Sequence, residues 1–272
     1  MASPSLGIVI TGASGYIGRN LCSFFGSDDF ESIAFEDAKE DSIVIHLAAD
    51  VSSSREAFLS NLAIDTMVVD HVNERHKGLV YASTNNVYPY ALDCQVNDVV
   101  RSNDYYATSK IFGENLLSRL ESKASVSLRI GDVFGPGQRH GNFFKAIELA
   151  VKTSQPIKLY GLGLKRRTYI HIAELCFIIK HIVSGFSKDI YHGQAINIGY
   201  ADAATIHEIV DVISNCSGLP IEYVLVENDK SFLDIRTMRP SPLIEYKPKW
   251  TSFKAALTEY VENLKNYNGV TL

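Results

Sequence analysis

The sequence predicts an α/β fold in which a doubly wound parallel sheet carries helices on both faces, together with a smaller mixed α/β lobe. Its first apolar run, residues 8–10, is β-branched and leads directly into glycines at 12, 15 and 18. Apolar strands and amphipathic helices then alternate, which is typical of a parallel sheet covered on both sides. From Gly135 the turn-rich GPGQRHGN opens a region of shorter, mixed elements. These observations indicate a Rossmann-type domain followed by a second lobe.

The stretch GIVITGASGYIG at residues 7–18 indicates a diphosphate-binding turn between a strand and a helix. We expect Gly12 to turn the chain, Gly15 to admit a pyrophosphate and Gly18 to let the helix pack closely. The spacing is G-x-x-G-x-x-G rather than the commoner G-x-G-x-x-G, so a glycine-rich turn in another α/β protein is the alternative. The predicted cofactor-binding residues of this turn are Gly12, Ser14, Gly15, Tyr16, Ile17 and Gly18.

Apolar patterning places the remaining elements. We predict strands at residues 8–10, 32–35, 41–49, 79–83, 127–130, 157–160 and 196–198. We predict helices at residues 19–25, 57–72, 105–120, 146–151, 172–183, 206–214 and 254–265. The dinucleotide-binding domain is predicted to span residues 1–134, with the chain returning to it around 165–185. Residues 135–272 are predicted to form mainly a substrate-binding lobe.

Composition narrows the class of protein. The chain has 272 residues, of which 46% are hydrophobic and 21% charged, enough for one large core or two lobes. A net charge of −5 argues against a broad nucleic-acid or membrane-binding surface and favours small-molecule partners. We expect a cytoplasmic protein, because the N-terminal region shows neither a basic n-region nor an unbroken apolar span. The four cysteines form no C-x-x-C pair, which argues against a metal site and fits a reducing compartment.

Two further features suit a dinucleotide. Glu36 and Asp37 follow the second strand and can accept hydrogen bonds from ribose hydroxyls, although solvated loop acids explain them equally well. Without an adjacent arginine they favour NAD, with NADP as the alternative. Strand 41–49 ends in Leu47, Ala48 and Ala49, and such a small-residue exit lets a cofactor lie across the strand's carboxyl end.

Tyr106 and Lys110 form a Y-x-x-x-K segment on a predicted helix, one turn apart on one face. A tyrosine with a pKa of about 10 is a poor base at neutral pH. The Lys110 ammonium, together with the positive charge of an oxidised nicotinamide, would favour the phenolate. An ordinary surface pair is the alternative, but Ser83 and Thr84 at the end of the preceding strand offer a hydroxyl for the same substrate oxygen.

These segments resemble the extended short-chain dehydrogenase/reductase family of nucleotide-sugar epimerases, dehydratases and reductases. The matching motifs are TGASGYIG, HLAAD, STNNVY, YATSK, LRIGDVFGPGQ and LYGLGLKRRTYIHIAEL. The resemblance implies NAD(P)-dependent hydride transfer at a ring carbon, C4, of a nucleoside-diphosphate sugar. It implies Tyr106 as acid/base, Lys110 as its electrostatic partner and ribose ligand, and Thr84 as the hydroxyl that orients the sugar.

The resemblance also implies roles for residues other than Tyr106, Lys110 and Thr84. Asn61 falls where the family's NVxGT asparagine helps to order the catalytic lysine, and an asparagine that caps backbone is the simpler alternative. Arg167 and Arg239 align with arginines that hold the substrate diphosphate, with surface salt bridges as the alternative. Asn85 and Asn142 complete the expected substrate contacts.

Three departures from the family pattern matter. Few residues separate the glycine turn from HLAAD, which leaves the adenine pocket uncertain. Asp132 stands where the family usually has asparagine, and a carboxylate near a diphosphate is unfavourable. Asn85 and Asn86 stand where sugar 4,6-dehydratases carry an acid pair, and amides cannot transfer those protons. The sequence therefore disfavours a dehydratase.

Two reactions and two non-catalytic functions stay open. We favour a 4-ketoreductase because the cofactor lobe is compressed, and a 4-epimerase with tightly bound NAD is the alternative. A redox-sensing dinucleotide-binding regulator or an inactive relative has no need of Thr84, Tyr106 and Lys110 together. The resemblance implies a homodimer through helices 55–76 and 105–122, although burial within one subunit explains their apolar stripes equally well.

Overall fold

The computed structural model describes residues 7–26, 40–138, 143–243 and 245–266. Its strands are β1 (Ile8–Thr11), β2 (Ile43–His46), β3 (Gly78–Thr84), β4 (Ala124–Ile130), β5 (Asp132–Phe134), β6 (Ile157–Tyr160), β7 (Arg166–Arg167), β8 (Tyr169–His171), β9 (Gln194–Ile198), β10 (Ala204–Thr205), β11 (Ile221–Val224) and β12 (Ile235–Arg236). Its α-helices are α1 (Tyr16–Phe25), α2 (Arg55–Arg75), α3 (Tyr105–Leu116), α4 (Phe143–Lys152), α5 (Ile172–Ser184), α6 (Lys188–Tyr191), α7 (Ile206–Ser217) and α8 (Phe253–Asn266).

The chain forms two compact units. The first unit comprises the described residues within Met1–Pro89, Val96–Ile130 and Leu175–Ile198. The second comprises those within Tyr90–Gln95, Gly131–Glu174 and Gly199–Leu272. The second-unit segment that begins at Gly131 starts earlier than the predicted boundary after residue 134. The reason is that β5 pairs with β8 and so belongs to the second unit. The segment that returns to the first unit also lies later than the predicted 165–185.

A five-stranded parallel sheet organises the first unit, in the order β1-β2-β3-β4-β9. Its registers align Ile8 with Ile43 and Leu79 with Ser125, so the carboxyl ends of the strands share one edge. Val68, Val69 and Val72 of α2 pack on this sheet and bury the apolar face of the helix. The predicted parallel α/β sheet is confirmed.

The second unit combines short strands with three helices around an aromatic core. β10, β7 and β12 form one small sheet, β11 pairs with β6, and β5 pairs with β8. Phe134 lies at the centre of the core, where its ring contacts Phe144, His171, Phe253 and Tyr260. This mixed α/β architecture agrees with the shorter, mixed elements predicted from Gly135 onward.

Some predictions fall outside the described residues, namely the second strand at 32–35, Glu36, Asp37 and Asn142. The predicted helix 105–120 is helical only to Leu116, and a 3-10 turn follows it. None of the helices within the described ranges is long and apolar enough to span a membrane.

Candidate active site

The glycine turn after β1 packs tightly against Leu47 and Ala48, the two residues that follow β2. Gly12 has a φ of +73°, and a Cβ added there would lie 2.6 Å from the backbone nitrogen of Ala48. A Cβ on Gly18 would lie 2.2 Å from the carbonyl oxygen of Gly12. Both positions therefore need glycine, Gly12 for the turn and Gly18 for the close approach of α1.

The start of α1 fits an anionic ligand. Gly15 is the N-cap, no side chain caps the helix, and its first turn contains no acidic residue. Among the described residues, a Cβ on Gly15 would meet only the Gly12 carbonyl oxygen, at 3.2 Å, so they leave this face of the turn open. The first N–H groups of a helix lack partners within the helix and favour negative charge. These residues fit the diphosphate of NAD.

The end of β2 provides the second part of the predicted cofactor surface. Leu47, Ala48 and Ala49 are half-buried. The N–H of Leu47 donates to the carbonyl oxygen of Thr11 at 3.2 Å, which fixes this exit beside the glycine turn. The structure thus brings the two predicted cofactor segments together.

Helix α3 carries the predicted acid/base pair. Asp104 caps the helix by accepting the N–H of Ala107 at 2.9 Å. The Lys110 side chain is 2% exposed, and Tyr106 is half-buried. The Lys110 Nζ lies 6.0 Å from the centre of the Tyr106 ring and 4.7 Å from that of Tyr81. The two predicted residues therefore share one turn of a largely buried helix face.

The electrostatics of Tyr106 differ from the sequence-based expectation. Burial, and then the charges of Asp65 and Asp104, raise the pKa of Tyr106 to about 12. Burial lowers the pKa of Lys110, while the charges of Asp65 and Glu114 oppose that effect. In the protein alone the phenol is therefore neutral, because burial and the nearby carboxylates disfavour the phenolate.

Thr84 ends β3 and begins the short 3-10 helix Asn85–Val87, against which α3 packs. Its hydroxyl accepts the N–H of Asn86 at 3.2 Å and donates to the amide oxygen of Asn85 at 3.4 Å. Asn85 is 1% exposed, and its amide nitrogen has no hydrogen-bond partner among the described residues. This strand end thus holds a hydroxyl and a buried amide donor side by side.

Asn61 lies on α2 and forms hydrogen bonds with Asp50 and Ser109. Its amide oxygen accepts the Asp50 N–H at 2.9 Å, and its amide nitrogen donates to the Asp50 carbonyl oxygen at 2.9 Å. The same nitrogen donates to the Ser109 hydroxyl at 3.2 Å, and that hydroxyl donates to the Tyr106 carbonyl oxygen at 2.7 Å. Asn61 therefore holds the Tyr106–Lys110 turn through Ser109 rather than by touching the lysine.

The predicted substrate arginines lie in the second unit. Arg167 is 4% exposed, pairs with the Asp234 carboxylate and donates to the Asp234 carbonyl oxygen at 2.7 Å. The arginine of this ion pair is thus buried, whereas the Asp234 side chain is 30% exposed. Arg239 is exposed, and its backbone N–H donates to the Cys94 carbonyl oxygen at 2.9 Å.

Two features were missed by sequence reasoning. A cavity of about 530 Å³ lies between α4 and β6 in the second unit, and Phe143, Ala150, Pro156 and Tyr160 contribute to its lining. The sequence feature that could have indicated this cavity is Leu149, an apolar residue that lies outside the buried face of α4 and is 61% exposed. The other is a buried polar cluster around Asp65, signalled by an aspartate at a core position of a helix. No group of three or more metal-binding side chains occurs within the described ranges.

The family model for the NAD dependent epimerase/dehydratase family matches residues 34–199, which is more than half of the chain. This chain belongs to that family. The resemblance to extended short-chain dehydrogenases/reductases is thereby confirmed, and the family is one of NAD-dependent enzymes.

Individual relatives are distant. An uncharacterized UDP-glucose epimerase, YtcB, of Bacillus subtilis (strain 168) is 26% identical over 200 residues, which cover 70% of this chain and 61% of the relative. The chain thus spans less than two thirds of that protein. A dTDP-glucose 4,6-dehydratase of Streptomyces niveus is 25% identical over 236 residues, 80% of this chain and 68% of the relative.

Solved structures share the fold. The complex of MoeE5 with UDP-glucose and NAD superposes with a TM-score of 0.80 at 20% identity, covering 97% of this chain and all of that one. At this identity the likeness concerns the fold.

Proposed function

We propose that the protein transfers hydride between NAD(H) and C4 of a nucleoside-diphosphate sugar, and that it acts as a 4-ketoreductase. The observation that carries the proposal is the placement of Tyr106 and Lys110 on one turn of α3, which packs on the strand end that holds Thr84. The glycine turn that fits a dinucleotide belongs to the same unit. A regulator that only bound the cofactor would not need this acid/base set.

The nicotinamide, when bound, supplies or accepts the hydride at C4. In the reductive direction Tyr106 donates its phenolic proton to the oxygen on C4, so that the ketone becomes an alcohol, and the phenolate then recovers a proton from water. Thr84 donates a hydrogen bond to the same oxygen and orients it. The Lys110 ammonium stabilises the negative charge that Tyr106 carries after the transfer.

The state of Tyr106 supports the reductive direction. Because the pKa of Tyr106 is raised to about 12, the phenol carries the proton that a keto sugar must receive. Oxidation of a sugar hydroxyl, the first step of an epimerase, needs the phenolate instead. That step requires the added positive charge of oxidised NAD.

A 4-epimerase is the second candidate, and the epimerase name of the Bacillus relative supports it. The residues required are the same, but the hydride must return to the opposite face of the keto sugar. A dehydratase is disfavoured, because Asn85 and Asn86 offer no carboxyl group for proton transfer at neutral pH.

The second unit supplies the proposed substrate contacts. The cavity between α4 and β6 is within the usual size range of small-molecule sites and is largely apolar, which suits a nucleoside. We assign Arg167, Arg239 and Asn142 to the substrate diphosphate. Arg167 must then exchange at least part of its pairing with Asp234 for the ligand.

The homodimer and the cytoplasmic location belong to the same proposal. Leu59 and Met67 on α2 are each 52% exposed, which suits a surface that a second copy covers. No disulfide joins any of the four cysteines, all of which lie in the described part of the chain. Reduced cysteines suit a reducing compartment.

The deciding experiment incubates purified protein with UDP- or dTDP-sugars in two ways. With a 4-keto sugar and NADH, a reductase oxidises NADH in proportion to the alcohol formed. With a 4-hydroxy sugar and no added cofactor, only an enzyme with tightly bound NAD interconverts the 4-epimers. Oxidation of NADH with the 4-keto sugar supports our proposal. Interconversion of the 4-epimers without such oxidation replaces the reductase with the epimerase.

A further inference from the structure

Asp65 on α2 is a buried carboxylate at the centre of the first unit. Asp65 is 1% exposed, and its neighbours His46 and Tyr81 are 0% and 1% exposed. The Nε2 of His46 lies 2.8 Å from one carboxylate oxygen, and the Tyr81 hydroxyl donates to the other at 2.7 Å. The carboxylate is therefore held by groups from β2 and β3 at the same time.

The hydrogen bonds around His46 run in one direction, from the Thr11 hydroxyl through the imidazole ring to Asp65. Burial lowers the pKa of His46, so the ring is neutral even though Asp65 opposes the effect. A neutral ring beside a carboxylate donates from Nε2, which leaves Nδ1 to accept from the Thr11 hydroxyl at 2.5 Å. Thr11 is the residue before Gly12, so this chain of bonds runs from the glycine turn to Asp65.

Helix α3 lies directly on this cluster. A Cβ on Gly113 would lie 2.0 Å from the Tyr81 hydroxyl and 2.6 Å from an Asp65 carboxylate oxygen. Only glycine therefore lets α3 approach this closely. One turn earlier on the same helix, the Lys110 ammonium lies 4.7 Å from the centre of the Tyr81 ring.

Charge balance points to Lys110 as the partner of this carboxylate. His46 and Tyr81 are neutral, because burial lowers the pKa of His46 and raises that of Tyr81. Glu114, a second acid whose charge acts on Lys110, is paired with Arg129 at 2.7 Å. A buried charge without compensation is costly. The charge of Asp65 acts on Lys110, whose ammonium lies over the ring of the tyrosine that donates to Asp65, so this ammonium is placed to compensate the carboxylate.

We propose that Asp65 is the positioning residue of Lys110, and that its carboxylate, held by His46 and Tyr81, keeps the ammonium charged above the Tyr81 ring and beside Tyr106. The inference deepens the proposed function, on which its catalytic meaning rests. A second consequence is that hydrogen bonds through Thr11 and His46 link the cofactor turn to Asp65, against which α3 packs at Gly113.

The first test measures the charge of Lys110 directly in the cofactor-free protein. Lysine labelled with 13C at Cε is followed by NMR against pH, and Lys110→Met identifies the signal. In Asp65→Asn we expect the titration midpoint of Lys110 to fall by about one pH unit, because an attractive charge is removed. The groups that also face Lys110 (His46, Tyr81, Tyr106 and Glu114) are unchanged. The amide can still bond Tyr81 and, after a tautomer change, His46.

The matched control is Asp70→Asn on the same helix, where the carboxylate is exposed and lies 3.5 Å from Arg119. It should leave the Lys110 midpoint unchanged. An unchanged midpoint in Asp65→Asn, or an equal shift in both variants, overturns the proposal. In the reductive assay, Asp65→Asn should also move the alkaline limb of kcat/KM to lower pH, since both Lys110 and Tyr106 lose the influence of Asp65.

The second test covers the case in which Asp65→Asn folds poorly. Lys110→Met leaves the Asp65 carboxylate buried without compensation, and its melting temperature should fall. Adding Asp65→Asn should raise the melting temperature again, because the uncompensated charge disappears. A purely structural Asp65 gives the opposite result, a double variant that melts below Lys110→Met, and that result rejects the proposal. Neither measurement depends on turnover, so failure of the proposed reaction is distinguishable.

Discussion

Arg129 of β4 and Glu114 of α3 form a two-pronged ion pair in which both side chains are nearly buried. The Nε of Arg129 lies 3.0 Å from one carboxylate oxygen of Glu114, and its Nη2 lies 2.7 Å from the other. Glu114 also accepts the Ser83 hydroxyl at 2.5 Å. The pair thus ties the helix that carries Tyr106 to the strands beneath it.

Breaking this pair should destabilise the first unit strongly. We expect Arg129→Met to lower the free energy of unfolding by about 3 kcal/mol, because a buried carboxylate loses its partner. Urea unfolding followed by circular dichroism measures this change. Arg119→Met is the matched control, since the Arg119–Asp70 pair is exposed and should be worth less than about 1 kcal/mol. Equal losses in the two variants would contradict the structural role of the Arg129–Glu114 pair.

Gly18→Ala should damage the fold of the glycine turn. The added Cβ would lie 2.2 Å from the Gly12 carbonyl oxygen and 2.7 Å from the Ala13 Cα, and neither backbone atom can move cheaply. We expect a loss of about 2 kcal/mol in the free energy of unfolding without cofactor. Gly185→Ala is the control, because the atom that the structure describes nearest to its Cβ would be the His181 carbonyl oxygen, at 3.9 Å.

Gly15→Ala should instead weaken cofactor binding. Within the described part of the chain, its Cβ would lie near only the Gly12 carbonyl oxygen, on the open face of the turn. We expect the melting temperature without NAD to change little and the Kd for NAD to rise by about tenfold or more, equivalent to about 1.4 kcal/mol. Isothermal titration calorimetry measures the affinity. Unchanged affinity in a folded variant would place the diphosphate elsewhere.

The glycine turn and the parallel sheet were predictable because their signals are local. A β-branched strand, three glycines and a helix start determine the conformation of 7–18 with little help from distant residues. The same holds for the Tyr106–Lys110 pair, since a spacing of four on a helix puts two side chains on one face. The second strand and its acidic pair were also predicted from local patterns, but they lie outside the described residues.

The buried electrostatics could not be predicted because they depend on long-range packing. Asp65 meets His46 and Tyr81 only once α2 lies on the sheet, and Asp234 meets Arg167 across 67 residues of chain. The same packing reverses the expected pKa change of Tyr106, since burial and the charge of Asp65 both raise that pKa. Strands of two residues, such as β7 and β12, carry no periodicity that a sequence pattern could show.

Tyr106→Phe tests the acid/base role with little change in shape. Removing the hydroxyl should lower kcat by about 100-fold or more, as expected for loss of a general acid. The Kd for NAD should stay within about twofold, because the ring and Lys110 remain in place. The control is Tyr105→Phe, since Tyr105 is 46% exposed and packs on Phe58. If Tyr106→Phe keeps full turnover in the reductive assay, the proton comes from another group.

Acid should weaken the second unit through His171, whose ring packs edge-on against Phe134 and Trp250. Burial, and then the charge of Lys249, lower the pKa of His171 to about 4, against the usual value of about 6.5. Between these values the unfolded chain binds the additional proton, so the free energy of unfolding falls as the pH drops from 6.5 towards 4. The loss should reach about 3 kcal/mol and should be absent in His171→Phe. Urea unfolding of both proteins at intervals from pH 7 to pH 4.5 measures the difference, and parallel curves would show that another group causes the acid sensitivity.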